Sequence, residues 1–504
     1  MHVAEEQRLR PQFSGPDPVT PRAPAPEIEH LLRRAGFGAR ADELEFYGEM
    51  SIPQAVDYLV NYEQVPDDVD SKIGTLGYAG ITTRAPGFLP VSSIVDARQR
   101  WLFRMVHTNR PLQEKMTLFW HNHFATGYNK IAGIYGNTEG ARYLAAKASE
   151  DPGNVRGQVE MLRDNALGNF RDMLVNIAKD TAMLVWLDGR TNTRAKPQEN
   201  FGREIMELFT RGVGYYTESD VYAAARVFTG WNLARPGTGT AQHYEYLYVA
   251  GQHDTGEKTF SFPIYSNGSR TIPARAAAAG EQDGIDLINA LAGAPETARY
   301  LAKKLYWFFV SDTRAPAQSF VDSIANVYLQ SRYDMRAVMR AVLLSTEFWE
   351  PRAYFARYAW PVEFIVRAMK DVGWRGFSVD TARTSMSAMG MDLYEPPDVA
   401  GWDAGETWFS TGAMLSRMNF ASGLAANQRN NLVTAARPNA GTPERLVSFF
   451  LNEMRTAPLA GGVQQDLVDY LRATGNWTGS DAQLNQKAPA LAHLITGSVE
   501  YQFV

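Results

Sequence analysis

From Leu112 to Trp231 apolar side chains return every three or four residues, and that period leaves room for little but helices. Leu112, Met116, Phe119 and His123 share one helical face. Phe170, Met173, Leu174 and Ile177 share another, and Phe201, Ile205, Leu208 and Phe209 a third. The pattern resumes at Gln282 and gives Ala298, Leu301, Leu305 and Phe308 after Pro295. It breaks once, where Tyr244, Tyr246 and Tyr248 alternate and Phe260 and Phe262 follow. The expected fold is mainly α: a large body of helical hairpins with a small β-hairpin excursion near residues 241–265.

Six prolines between Pro11 and Pro26 forbid a regular helix, so residues 1–27 are expected to form an extended or disordered arm. Residues 28–430 form the main domain, a polar linker follows at 430–442, and residues 443–504 supply a C-terminal helical segment packed on the main body. Phe170 to Met183, Met335 to Phe348 and Ala490 to Tyr501 echo one pattern, a helix followed by a short Ser/Asp-led turn. The spacing is too wide for a solenoid and reads as a reused hairpin.

Composition narrows the chemistry. The net charge of -5 over 504 residues, without a Lys/Arg block, argues against a nucleic-acid partner. Absence of cysteine removes disulfides, thiolate catalysis and Cys-ligated metals. No apolar run reaches the roughly 20 residues that span a bilayer. The opening residues lack the apolar stretch of a signal peptide, so the chain is expected to be soluble and cytoplasmic as written, unless exported with a partner. No Gly-rich nucleotide loop and no Gly-x-Ser-x-Gly elbow occurs.

The reactive side chains concentrate in three places. Phe119-Trp120-His121-Asn122-His123-Phe124 holds two histidines about 200° apart on an unbroken helix. They reach one ion only if the helix ends by about Trp120 and the next residues run extended. Asn200 to Arg211 presents Asn200, Arg203, Glu204 and Glu207 on one face, with Glu199–Arg203 and Arg203–Glu207 spaced as ion pairs. Gly251 to Lys258 holds His253 and Asp254, read equally well as an acid/base or ligand pair and as a turn that caps itself. Thr217 and Asp220 form a capping box that launches the helix ending at Phe228-Thr229-Gly230-Trp231. His30, beside an apolar stripe, reads as a hydrogen-bonded structural histidine, and Glu395 to Asp403 as a rigid loop.

Several of these pieces, in this order, resemble a large bacterial family known only as domain of unknown function 1800. They are His30 to Gly38, Phe119 to Phe124, Asn200 to Gly214 with Tyr216-Thr217-Glu218, Phe228 to Trp231, His253-Asp254-x-Gly256-x-Lys258, Pro396 to Trp402 and Ser498 to Gln502. The resemblance brings no activity with it. It implies a partner of family 1501, which resembles the alkaline-phosphatase/sulfatase superfamily and is often exported by the twin-arginine route, and hence a cell-envelope setting.

Two functions follow as expectations. The first is a hydrolase-like enzyme assisted by one divalent metal ion. His121, His123, Glu204 and Glu207 are the candidate ligands, Glu204, Glu207, Arg203, His253 and Asp254 the candidate catalytic groups, and Asn200, Trp231, Lys258 and Trp402 the candidate substrate contacts. A metal-free version uses a glutamate of raised pKa beside Arg203 or His123. The second is a non-enzymatic accessory protein whose Trp231, Trp402, Trp408 and Tyr-rich excursion form a platform for a cell-envelope glycan, a small molecule or the partner.

Overall fold

The computed structural model describes residues 25–78, 87–374, 380–427, 432–473 and 475–504. Among them are 24 α-helices and two sheets of two strands each. The mainly α expectation holds. No described helix is long and apolar enough to cross a membrane. The proline-rich arm lies outside the described residues up to position 24. Helix α1 (Ala25–Ala35) starts earlier than its apolar stripe, because Pro26 fits a helix's first turn, where its missing N–H costs nothing.

Helices α2 (Ile94–His107) and α3 (Pro111–His123) meet at Pro111, the break the sequence shows. Helix α4 (Phe170–Lys179) is one member of the echoed hairpin. Helix α5 (Glu199–Glu207) stops four residues short of Arg211, because Arg211 and Gly212 both turn back to donate to the Met206 carbonyl and Gly212 takes φ +87°. Helix α6 (Glu218–Val227) begins at the expected capping box: the Thr217 N–H donates to Asp220 Oδ2 at 2.7 Å and the Asp220 N–H to Thr217 Oγ1 at 3.3 Å.

The β-excursion is wider than expected. Strand β1 (Trp231–Ala234), read as the tail of a helix stop, pairs antiparallel with β2 (Glu245–Tyr248), setting Trp231 opposite Tyr248. Strands β3 (Lys258–Thr259) and β4 (Thr271–Ile272) form a second pair. Helices α7 (Glu281–Ala292) and α8 (Pro295–Phe309) return the chain to the body. Helix α9 (Met335–Leu343) starts beside α4: the Phe170 N–H donates to Tyr333 O at 2.9 Å and the Met335 N–H to Gly168 O at 3.1 Å. Each of these two helices is capped by its own side chain, Asn169 or Asp334.

Helices α10 (Pro361–Asp371), α11 (Pro443–Met454) and α12 (Asp481–Thr496) complete the body. The 430–442 stretch is more than a linker: Leu432–Ala436 is helical, and both of its ends are buried. Among the described residues one large apolar core takes in side chains from Ile28 to Val504, beside a small second cluster at Val69 and Phe103. Long polar staples cross it. His30 lies against the Phe348 carbonyl, Arg34 donates to the carbonyls of Val310 and Ala353, and Lys370 donates to Gly38 O. His30 is thus the structural histidine its position suggests.

Candidate functional site

Helix α3 runs unbroken through His123, so His121 and His123 point apart. His121 Nε2 accepts the backbone N–H of Tyr394 at 3.1 Å, and its ring lies among Trp101, Tyr394 and Trp402. Burial pushes its pKa down to about 3, so the ring is neutral. His123 meets Phe209 O at 3.0 Å through Nε2, so that nitrogen carries the proton and donates. Its Nδ1 then accepts from Lys304 Nζ at 3.1 Å. Between them Asn122 accepts the Trp402 N–H at 2.6 Å. Three successive side chains therefore each hold a different stretch of backbone. The motif that reads as a ligand pair works as a three-way staple, and the expected four-ligand set of His121, His123, Glu204 and Glu207 is not formed. Among the described residues no three His, Asp or Glu side chains gather as a metal would need.

Gly401 shows how tight the staple is. It takes φ +89°, and a Cβ there would stand 2.3 Å from Asn122 Oδ1. The Pro396 to Trp402 loop is thus fixed against the end of α3 at a position that only glycine can occupy.

His253 and Asp254 also part company. The Asp254 carboxylate takes Arg226 in two hydrogen bonds of 2.8 and 3.0 Å and accepts the Gly256 N–H at 2.9 Å, which is the self-capping turn. Arg226 holds its pKa below the usual carboxylate range. His253, fully buried, sits with Nδ1 2.8 Å from Thr229 O and Nε2 3.2 Å from Asp283 Oδ2. Lys258, also fully buried, donates to that same Oδ2 at 2.6 Å and to Asp254 O. Arg275 takes the other Asp283 oxygen at 2.7 Å. This is a closed charge knot under the β-excursion. Neither His253 nor Lys258 has a face for a substrate, contrary to their expected roles.

The aromatic platform fails for the same reason. Trp231, Trp402 and Trp408 are only 1%, 5% and 7% exposed. Trp231 is wedged against Gly284 and Tyr246, and Trp402 packs on His121 and Trp360. They are core.

The polar face of α5 is different. Glu204 and Glu207, one helical turn apart, are both half-buried. Burial pushes Glu204 up to about 7, and the negative Glu207 adds to the rise against the opposing pull of Arg203. Arg203 does not bridge to Glu207 as its spacing suggests. It turns to Glu218, with two bonds of 2.8 and 2.7 Å, because that carboxylate at the start of α6 offers both oxygens to the planar fork. Glu207 accepts from the Tyr216 hydroxyl instead. Asn200 is exposed and donates to Asp188.

Residues without an obvious sequence signal complete this edge. Tyr300 of α8 is pushed up to about 12 by burial and by Glu207. Lys304, one turn on, lies 5.3 Å above the Tyr300 ring and is pushed down to about 8 by burial, with no carboxylate in ion-pair reach among the described residues. Tyr300 and Lys304 are i,i+4 and off the apolar face of α8, the one hint available in advance. A row of half-buried titratable groups thus runs from Glu204 through Glu207 and Tyr300 to Lys304. Its two ends, Glu204 at about 7 and Lys304 at about 8, can donate and accept protons near neutral pH.

No curated protein and no solved structure matches this chain. The family model of DUF1800, described as a protein of unknown function, does match, over residues 30–503, and the chain belongs to that family.

Proposed function

We propose that the chain is a hydrolase-like acid–base enzyme in which Glu204 carries the proton. One observation supports this above the rest: the Glu204 carboxyl, raised to about 7 by burial beside a second carboxylate, spends part of its time in each protonation state at neutral pH. Deprotonated Glu204 takes a proton from an attacking water, and the same group then returns it to the leaving atom. Glu207, fixed by Tyr216, keeps the local field negative and so keeps Glu204 poised. The alkaline-phosphatase-like partner and the envelope setting belong to this proposal and rest on the family resemblance.

The test pairs turnover with stability. Wild type and Glu204→Gln are assayed against chromogenic esters, phosphates and glycosides, with melting temperatures measured alongside. The expected loss in the variant is about 10²–10⁴-fold, with an inflection near pH 7 in the wild-type profile only. Equal rates in both proteins, or a loss that merely follows a lower melting temperature, would refute the role.

Stability against pH gives a reading that needs no substrate. The folded state holds the Glu204 proton more tightly than the unfolded chain does. Its contribution is therefore complete below pH 4.5 and is lost as pH rises through about 7. Glu204→Gln should remove that decline from urea midpoints collected between pH 4.5 and 7. An unchanged pH slope would show that the carboxyl is not shifted.

A further inference from the structure

Lys304 is held unlike three lysines of the core. Lys115, Lys258 and Lys370 are each buried against a carboxylate, that of Glu363, Asp283 and Glu43 in turn. Lys304 of α8 is only half-buried, and no carboxylate lies in ion-pair reach of it among the described residues. It sits where α3, α8 and the chain just after α5 meet. His123, at the end of α3, joins the three: one ring nitrogen meets the Phe209 carbonyl and the other meets Lys304 Nζ at 3.1 Å.

That contact orients the amine without charging it. His123 Nε2 carries the ring's proton and donates it to Phe209 O at 3.0 Å, which leaves Nδ1 as an acceptor only. Burial, and the Lys304 charge next to it, hold the imidazole well below the usual histidine pKa, so the ring stays neutral. Nδ1 takes one N–H from Lys304 whether the side chain is an ammonium or an amine. The Tyr300 ring, 5.3 Å from Nζ, attracts the ammonium weakly at that distance and is no substitute for a counter-ion. Burial therefore decides the balance and moves it toward the amine, with Lys304 pushed down to about 8. At pH 7 that makes about 10% of the side chain uncharged, against about 0.04% for an unperturbed lysine. Among the described residues no group donates to the nitrogen, so the lone pair of the amine is uncommitted.

We infer that Lys304 is a nucleophile toward aldehydes and ketones, forming a protonated imine that His123 Nδ1 holds by its remaining N–H. The Nζ lone pair attacks the carbonyl carbon, a C–N bond forms, and the C=O π pair moves to oxygen. One Nζ hydrogen and one proton from solvent end on that oxygen, which departs as water when the C–O bond breaks. The nitrogen lone pair closes the C=N bond, and one N–H is left on the cation. No electron is gained or lost overall. The position of His123 suits both ends of the step, since it accepts an N–H from the amine and again from the iminium. An ion-paired lysine lacks the first requirement, an available lone pair.

The experiment uses the full chain with acetaldehyde as probe and sodium cyanoborohydride to fix the imine, at pH 7.5, with adducts located by fragmentation mass spectrometry. Lys303, exposed and adjacent, is the internal reference. Lys304 is expected to be ethylated at least about tenfold faster than Lys303. The preference should vanish in guanidinium, where both lysines belong to an unfolded chain. Lys304→Arg keeps a donor for His123, so it should melt as wild type, lose the fast adduct and leave the Lys303 rate unchanged. Labelling of Lys304 no faster than that of Lys303 would overturn the assignment, and would mean that the group stays an ammonium. A preference that survives unfolding, or a fast adduct that persists in Lys304→Arg, would overturn it as well. The readout is labelling and needs no turnover, so it stands apart from the acid–base role of Glu204.

Discussion

Asp283→Ala is expected to destabilise the protein by about 3–5 kcal/mol, measured by urea unfolding. Asp283 is fully buried and, among the described residues, is the only carboxylate that Lys258 pairs with. Removing it leaves a buried ammonium beside His253 with one backbone carbonyl to bond. The Arg275 guanidinium suffers less, because it keeps Asp286. The double variant Lys258→Met/Asp283→Leu should recover much of the loss, since an apolar pair of similar volume needs no counter-charge. A loss below about 1 kcal/mol in the single variant would mean that water reaches the knot and that its burial is overstated.

Gly284→Ala should also destabilise, although helix propensity argues the other way. Alanine in a helix interior is better than glycine by about 1 kcal/mol. At this position, however, a Cβ would stand 2.3 Å from Trp231 Cζ2. Trp231 cannot yield: it is 1% exposed, edge-on to Phe228 and Tyr246 at 5.3 Å, with Lys179 over its face. Overpacking a filled core costs about 1–3 kcal/mol, so the clash outweighs the propensity gain. The same substitution in a Trp231→Phe background should be close to neutral. If Gly284→Ala alone proved as stable as wild type, the wedge between α7 and β1 would be looser than its contacts indicate.

The helices were legible because their information is local. A 3.6-residue apolar period, the Pro111 break and the Thr217–Asp220 capping box each act within a few residues, and each appears where the spacing puts it. The β-excursion was half legible: Tyr alternation marks β2, but its partner β1 starts inside a stretch that looks like a helix stop. The site residues were read for what they are chemically, and that was the weakness. The role of His121 depends on Tyr394, that of His123 on Phe209 and Lys304, and that of Lys258 on Asp283. No one-dimensional spacing reports those partners. A polar residue next to an apolar stripe is equally suited to stapling and to catalysis until its acceptor is known. Glu204 survived as a candidate because the carboxylate nearest to it, Glu207, comes from α5 itself.

The staples between the N-terminal segment and the C-terminal half bear on how the chain is made. His30 waits for Phe348, Gly38 for Lys370, and Ala39 for Arg455, which lies 416 residues downstream. At ribosomal speed that interval is roughly 20 to 80 s. Throughout it, Ile28, Leu31 and Leu32 of the nascent α1 have no finished core to enter, and the Ala353 carbonyl that Arg34 later holds is itself 319 residues downstream. Folding of this body is therefore a late, post-translational event with long loops to close. Until then the emerging N-terminal half exposes apolar side chains that the finished fold buries. Expression yield should consequently respond to chaperone supply more steeply than the stability of the finished protein suggests.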